Sequence, residues 1–164
     1  MIVRFGVISA AVVWTSSALA QQQVPPALVA PDQTILATYH AEGAQIYQCT
    51  AAADGKLSWV FREPIATLLL NGKTAGRHYA GPTWELADGG AVVGKASANA
   101  PGATANDIPW LKLDVVERRG SGLLVRSSTV QRLNTHGGAT QGACEQAGSF
   151  RSVAYSADYT FLTK

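Results

Sequence analysis

Four side chains that could do chemistry flank the dipeptide Gly81-Pro82: His78, Tyr79, Trp84 and Glu85. Proline fixes its own φ, and glycine adopts conformations that other residues avoid, so this dipeptide predicts a tight turn. The turn would gather an imidazole, a phenol, an indole and a carboxylate at one corner of the fold. Such a corner could bind a small molecule. A tightly turned β structure that used the same groups only for packing would show the same pattern.

Three later residues complete the candidate ligand site: Trp110, Arg132 and Thr135. The aromatic rings, with that of Tyr47, would form apolar walls, and the polar side chains would converge on the ligand. Arg132 lies between apolar neighbours, and a guanidinium that faced inward would need an anionic partner. A ligand carboxylate could serve, but the favoured partner is a carboxylate of the chain, with three candidates: Glu85, Asp88 and Asp158.

Catalytic and metal sites show no recognisable pattern. None of the histidines His40, His78 and His136 has a second ligand at a spacing typical of metal sites. The chain has no G-x-S-x-G motif, and in an extended strand Glu85 and Asp88 would lie about 10 Å apart on opposite faces. We therefore predict no metal, no cofactor and no catalytic residue. The sequence favours a binding protein over an enzyme, although a hydrolytic site assembled from distant positions stays open.

Turn signals and strand signals alternate along the chain, about every ten residues. The dipeptides Asp54-Gly55, Asn71-Gly72 and Asp88-Gly89 are typical of tight turns. The clearest alternation lies near the C-terminus, where five residues would share one face: Val153, Tyr155, Ala157, Tyr159 and Phe161. No segment shows a sustained 3.6-residue stripe. These patterns predict a single all-β domain over residues 33–164, an antiparallel β-sandwich or barrel of about nine or ten short strands.

Some local expectations follow from the same alternation. Leu123–Thr135 is long enough for one extended or bulged strand, and residues 136–148 read as a glycine-rich loop. Trp110 should lie on the same side of its strand as the neighbouring charges. Trp59 and Phe61 should belong to the core, because their strand alternates apolar and polar residues.

The N-terminal residues 1–20 have the pattern of a signal peptide. Arg4 supplies the positive charge, an apolar run follows from Phe5 to Trp14, and Ala18-Leu19-Ala20 is a small-residue cleavage site. Residues 21–32 carry three prolines without periodicity, which predicts an extended arm. We expect an exported protein, periplasmic or extracellular, with no transmembrane segment after signal cleavage.

Cys49 and Cys144 are the two cysteines of the chain. Export would place them in an oxidising compartment, where cysteines pair. Two cysteines so far apart, with no C-x-x-C motif, are weak candidates for a metal site. We predict a Cys49–Cys144 disulfide.

The charge of the chain is close to neutral, with a formal net charge of +2. The basic residues are scattered, and Arg118-Arg119 is the longest basic run. Nucleic-acid binding needs a concentrated basic surface. We therefore expect no nucleic-acid partner, and a small molecule or a component of the cell envelope as the possible ligand.

Six blocks occur in order along the chain: G-A-Q-I-Y-Q-C (Gly43 to Cys49), W-V-F-x-x-P (Trp59 to Pro64), G-R-H-Y-A-G-P-T-W-E-x-x-D-G (Gly76 to Gly89), I-P-W-L-K-L (Ile108 to Leu113), V-Q-R-L-N-T-x-G-G (Val130 to Gly138) and Y-S-A-D-Y-x-F (Tyr155 to Phe161). The series resembles the family called domain of unknown function 3455, which comprises exported bacterial and fungal proteins. Two positions depart from the family pattern: Thr140 replaces a usual proline, and Gly90 replaces a usual serine. The resemblance implies no established activity and no catalytic residues.

Some fungal members of that family carry a malate dehydrogenase label, which this sequence does not support. A nicotinamide-binding unit needs G-x-G-x-x-G between a strand and a helix. The nearest approach, Gly120-Ser121-Gly122, has no third glycine and no helical pattern after it. The leading hypothesis is a binding module for a small molecule or envelope component. The alternatives are a structural or protein-interaction role, and a hydrolase with a site outside known motifs.

Overall fold

The computed structural model describes residues 23–164, so the expected signal peptide lies outside the described residues. Eight strands each pair antiparallel with the next, and the last pairs with the first, which closes the sheet into a barrel. The strands are β1 (Thr34–Ala51), β2 (Leu57–Leu70), β3 (Lys73–Tyr79), β4 (Thr83–Leu86), β5 (Ala91–Ala100), β6 (Trp110–Arg119), β7 (Thr129–Gly137) and β8 (Phe150–Thr163). Within residues 23–164 no helix is long and apolar enough to cross a membrane.

The all-β antiparallel class is confirmed, but the strand number is eight rather than nine or ten. The strands are longer than expected: β1 has 18 residues, and β2 and β8 have 14 each. β1 extends past Cys49 because β2 and β8 both pair with it. Pairing on two sides keeps a backbone extended through residues of low strand propensity such as Gly43.

The predicted turns are present where the chain reverses. Asn71 and Gly72 join β2 to β3 with φ angles of 51° and 74°. Positive φ at both central residues is the geometry of a two-residue hairpin, which asparagine and glycine adopt at low cost. The peptide bond between Gly81 and Pro82 is cis and lies in the short connection between β3 and β4.

Aromatic side chains fill the barrel at its middle. Tyr155, Tyr159 and Phe161 of β8 are buried, as the alternation predicted. The indole of Trp84 packs edge-on against Tyr159 and Phe161, with ring centroids 5.3 and 6.0 Å apart. Small barrels of eight strands are filled in this way by side chains from all sides. The barrel therefore has a solid centre, and any cavity must lie toward an end.

A second, smaller cluster lies outside the barrel wall. Leu28, in a short 3₁₀ turn at Pro26–Leu28, packs with Trp110 and Leu133. The amide of Gln131 donates to the Leu28 carbonyl at 2.6 Å, which fixes the N-terminal segment to β7. Trp110 is thus buried on the outer face of the sheet, beneath residues that precede β1.

Two expected segment boundaries were wrong. Leu123–Thr135 is not one strand: a 3₁₀ turn at Leu124–Arg126 precedes β7. The turn buries Leu124 completely, and Asp88 accepts a hydrogen bond from the Leu123 amide at 2.9 Å. The expected loop over residues 136–148 also starts too early, because β7 continues to Gly137 through pairing with β8.

The disulfide between Cys49 and Cys144 is present, with a Cα–Cα distance of 5.9 Å. It joins the end of β1 to the segment before β8. The amide of Trp59 donates to the Gly142 carbonyl, and the Cys144 amide donates to the Leu57 carbonyl. The crosslinked segment therefore covers the first residues of β2 and ties the β1–β2 hairpin to the barrel.

Two neighbouring strands of the barrel, β3 and β4, are shorter than the strands beside them. β3 pairs with β2 only from Ala66 to Leu70, so in the described part of the chain the 60–65 stretch of β2 has a strand partner on one side alone. β5 in turn pairs with β4 only up to Val93 and continues beyond it beside β6. β2 and β5 therefore extend further toward this end of the barrel than β3 and β4 do. The gap between them, above the β3–β4 connection, is a lateral opening that we call the notch.

Candidate functional site

A cavity of about 500 Å³ occupies the end of the barrel above the notch. Residues from β1, β2, β3, β5, β6 and β7 and from two connections line it: Gln45, Tyr47, Phe61, Arg62, Pro64, His78, Gly81, Pro82, Ala96, Ile108, Pro109, Leu111, Leu113 and Arg132. Most of these side chains are apolar. The volume lies within the range of about 300–1,000 Å³ that is typical of small-molecule sites.

Arg132 brings a positive charge into this apolar cavity. It follows Val130, a core residue, at the same-face spacing on β7, so its side chain points inward. Its Nε and Nη2 donate to one oxygen, the carbonyl of Pro109, at 3.0 and 2.8 Å. Among the described residues no carboxylate lies within 4.0 Å of the guanidinium. The expectation of a carboxylate partner from the chain was therefore wrong.

The three expected partners are engaged elsewhere. Glu85 binds Arg77 at 3.0 Å and accepts a hydrogen bond from the Tyr79 hydroxyl at 2.6 Å. Asp88 accepts hydrogen bonds from the backbone amides of Gly90, in its own turn, and of Leu123, in the connection before β7, and these bonds lower its pKa. Asp158 lies 2.8 Å from the Nδ1 of His40. Each of these carboxylates stabilises an outer surface or a turn rather than the interior.

The side chains that line the cavity carry positive but no negative charge. It contains two arginines and no aspartate or glutamate. Arg62 pairs with its neighbour Glu63 at 3.1 Å, and Glu63 does not line the cavity. The charge on Arg62 is therefore balanced locally, whereas Arg132 remains the cation without an acidic neighbour in the described chain. An anion that entered the cavity would be attracted to it.

His78 lines the cavity with an uncharged imidazole whose pKa is too low for a general base at neutral pH. Its imidazole is buried, stacks on Trp84 with centroids 4.6 Å apart, and donates from Nδ1 to the Thr83 carbonyl at 2.8 Å. Burial lowers the pKa of His78 to about 3; the Thr83 hydrogen bond partly opposes this shift, and the charge of Arg132 adds to it. The ring is uncharged at neutral pH and leaves Nε2 as an acceptor.

Two residues of β1 complete the wall. The Tyr47 hydroxyl donates to the Gly138 carbonyl at 2.8 Å, and its ring packs edge-on against Phe61 with centroids 5.8 Å apart. Gln45 is 2% exposed, and its Nε2 has no hydrogen-bond partner in residues 23–164. Sequence reasoning placed Tyr47 among the apolar walls but missed Gln45. The signal was available, since Gln45 shares a strand face with Tyr47 and the disulfide residue Cys49.

The structure brings two of the seven predicted ligand residues, His78 and Arg132, to the cavity; the other five do not line it. Trp84 is packed in the core behind His78, and Trp110 is buried outside the barrel. Thr135 donates from Oγ1 to the Ile108 carbonyl at 2.6 Å. The remaining two, Tyr79 and Glu85, bond to each other on the outer face of β3 and β4.

Phe61 was expected in the core, and this expectation was wrong. Its side chain is 50% exposed and lines the cavity. Phe61 is exposed because β3 pairs with β2 only from Ala66 to Leu70 and does not cover this part of β2. Phe61 therefore borders the opening, because its stretch of β2 pairs with β1 on one side and has no strand on the other.

The groups that line the cavity offer apolar contacts and hydrogen bonds. In the part of the chain that the structure covers, the lining includes no serine, threonine, cysteine, aspartate, glutamate or lysine. The same part of the chain holds no cluster of three histidine, cysteine or acidic side chains able to bind a metal ion. Apolar side chains, the acceptor Nε2 of His78, the amide of Gln45 and the N–H donors of Arg62 and Arg132 are groups that can recognise a ligand.

The comparison with known families covers almost all of the described chain. The profile of the family described as "Protein of unknown function (DUF3455)" matches residues 30–72 and 69–163. Neither a curated protein nor a solved structure matches the chain. The two matched ranges together include every strand of the barrel and every residue that lines the cavity. The chain belongs to this DUF3455 family, as its six ordered blocks suggested.

Proposed function

We propose that this protein is an exported binding module that holds a small molecule with an apolar body and an anionic group in the open end of its barrel. One observation carries the proposal. Arg132 points into an apolar cavity of about 500 Å³, and the described residues offer it no carboxylate. A cation in such surroundings favours an anionic partner, and here that partner is a ligand.

The guanidinium of Arg132 has donors to spare. Two of its N–H groups converge on one carbonyl oxygen, that of Pro109, and a guanidinium carries five such groups. The Pro109 carbonyl also holds the planar group in one orientation, which reduces the entropy lost when a ligand binds. Hydrogen bonds between charged groups contribute about 1.5–3 kcal/mol. An anionic ligand therefore gains both attraction and orientation at this residue.

Export is part of the same proposal. The residues 1–20 have the order of charge, apolar run and small-residue cleavage site of a signal peptide. The Cys49–Cys144 disulfide fits an oxidising compartment. We place the protein in the periplasm or outside the cell, where its ligand would be a free small molecule or a component of the envelope.

A protein-interaction role has one observation in its favour. Three apolar side chains are about half exposed in the part of β2 that lacks β3 as a neighbour: Val60, Phe61 and Ile65. However, Pro64 and the charged pair Arg62 and Glu63 interrupt this edge, and such residues hinder the addition of a partner strand. The cavity is therefore the better-supported site.

The test measures binding of an apolar anion and of its uncharged counterpart. Anilinonaphthalene sulfonate serves as a fluorescent probe, and decanoate and decanol compete for its site. We expect decanoate to displace the probe from the wild-type protein. Arg132→Gln should weaken decanoate by about 10-fold to 100-fold, because a charged hydrogen bond is lost, and should leave decanol unchanged.

The matched control is Arg119→Gln. Arg119 is exposed, pairs with Glu117 at 3.3 Å and does not line the cavity, but its loss changes the net charge by the same amount. It should bind decanoate like the wild type. If both variants weakened decanoate equally, or if decanoate failed to displace the probe at all, the proposed function would be refuted.

A further inference from the structure

Three buried polar side-chain atoms in residues 23–164 have no hydrogen-bond partner: Gln45 Nε2, Trp84 Nε1 and Trp110 Nε1. Of the three residues, Gln45 lines the cavity. A buried donor without an acceptor is costly, so each one calls for an explanation, and for a donor in a cavity wall a bound ligand is one that can be tested. The side chain of Gln45 is therefore a second feature of the cavity, independent of Arg132, that points to a ligand.

The position of Gln45 is set by close packing. On β1 it lies between Pro64 of β2 and Val153 of β8. Gly138 approaches it closely: a Cβ built there would lie 3.1 Å from the Cγ of Gln45 and 2.8 Å from the Cβ of Tyr155. Gly138 has a φ of 84°, which glycine adopts readily, and its lack of a Cβ lets the backbone lie against the Gln45 side chain.

Gln45 and Arg132 line the same cavity from different strands. Burial raises the pKa of Tyr155, and the positive charge of Arg132 and an interaction with the Gln45 side chain partly oppose this shift. That hydroxyl lies 3.3 Å from the hydroxyl of Tyr159, and the Gln45 Nε2 makes no hydrogen bond of acceptable geometry to it. An amide donor on β1 and a guanidinium on β7 thus line the same cavity.

We infer that Gln45 is a specificity-determining residue, whose amide donates to one oxygen of a ligand carboxylate while Arg132 holds the other. This inference rests on the proposed function and narrows its ligand class to apolar carboxylic acids. A carboxylate has two acceptor oxygens and no donor, so it satisfies both groups at once. A neutral amide ligand offers its carbonyl to Gln45 but no charge to Arg132, and an alcohol offers neither a charge nor a second oxygen.

The experiment compares decanoate, decanamide and decanol against the wild-type protein, Gln45→Met and Arg132→Gln. Methionine preserves the length of the side chain and removes the donor. We expect Gln45→Met to weaken both decanoate and decanamide about tenfold and to leave decanol unchanged. Arg132→Gln should weaken decanoate and leave decanamide unchanged. If Arg132→Gln weakens decanoate while Gln45→Met has no effect, the inference fails and the proposed function stands; if neither has an effect, both fail.

Stability of the unliganded variants separates a ligand-binding role from a structural one. Gln131 is the matched control, because its buried amide donates to the Leu28 carbonyl at 2.6 Å and does not line the cavity. Gln131→Met should lower the melting temperature and leave decanoate affinity unchanged. Gln45→Met should raise the melting temperature of the empty protein, since it removes an unpaired donor. A lower melting temperature for Gln45→Met would show a structural bond and overturn the inference.

A measurement on the wild-type protein avoids dependence on how the variants fold. The side-chain amide of Gln45 can be followed by ¹H–¹⁵N NMR after sequential assignment. We expect its two proton resonances to shift as decanoate saturates the site, while those of Gln131 stay in place. An unmoved Gln45 amide at saturating decanoate would refute direct donation.

Discussion

Replacement of His78 should change how the stability of the protein depends on pH. Its pKa is lowered from 6.5 to about 3, mainly by burial, so the folded protein keeps the imidazole neutral while the unfolded chain binds a proton below pH 6.5. The unfolded state therefore binds more protons between these two values, and stability falls as the pH falls. One pKa unit corresponds to 1.36 kcal/mol, which gives a loss of about 1.4 kcal/mol per pH unit in this window.

The size of the effect can be followed with the variant His78→Gln. Glutamine preserves a donor for the Thr83 carbonyl but does not titrate. The variant loses the stacking on Trp84 and should be less stable than the wild type at pH 7. Between pH 6.5 and 4.5 the wild type should lose about 2.5 kcal/mol that the variant does not lose. The difference between their unfolding free energies should therefore narrow by that amount.

Guanidinium chloride denaturation at four pH values between 7.5 and 4.5 measures this difference. Glu85, Asp88 and Asp107 also have lowered pKa values, but they are common to both proteins and cancel in the comparison. The exposed His136→Gln variant controls for the number of histidines. Parallel stability curves for the wild type and His78→Gln would refute the reasoning, because they would show that the imidazole is protonated in the folded state.

Two further perturbations test the closure of the barrel. Reduction of the Cys49–Cys144 disulfide should lower the unfolding free energy by up to about 4–5 kcal/mol, because the bond closes a separation of 95 residues, and denaturation with and without reductant measures this loss. An unchanged midpoint would show that the crosslink constrains little of the unfolded chain. Gly43→Ala should cost at least about 2 kcal/mol, since its Cβ would lie 2.1 Å from the Ile65 carbonyl oxygen. Gly55→Ala meets nothing within 4 Å and should cost about 1 kcal/mol through its positive φ alone. Equal melting temperatures for the two alanine variants would contradict the close approach of β1 and β2.

Local patterns were sufficient for several elements of the fold. Asn71-Gly72 forms its turn because the two residues tolerate positive φ wherever they occur. The alternation of β8 placed Tyr155, Tyr159 and Phe161 on one buried face, because successive side chains of a strand always point to opposite sides. The disulfide followed from the count of cysteines and the expected compartment.

Candidate site residues were harder to predict, because each strand has two faces and local alternation does not say which one meets the cavity. The alternation placed Trp110 on the face of its strand that carries charged residues. Its side chain is buried there because Leu28, 82 residues earlier in the chain, packs against it. Phe61 has the alternation of a core residue, yet it borders the opening because β3 ends below it. Gln45 was overlooked because a polar residue in a strand is usually assigned to solvent.

The sequence by itself determined the all-β class, the tight turns, the pairing of the cysteines and the family, since these depend on residue types, short periods and ordered blocks. Tertiary structure alone decided that β1 pairs with β8 to close a barrel, that β3 and β4 stop short of their neighbours, and that Gln45 and Arg132 face one cavity. The physical reason is that these features depend on pairing between strands. Closure follows from the register of β1 with β8, at opposite ends of the chain, and the short reach of β3 and β4 follows from their registers with β2 and β5; the pattern within one strand encodes neither.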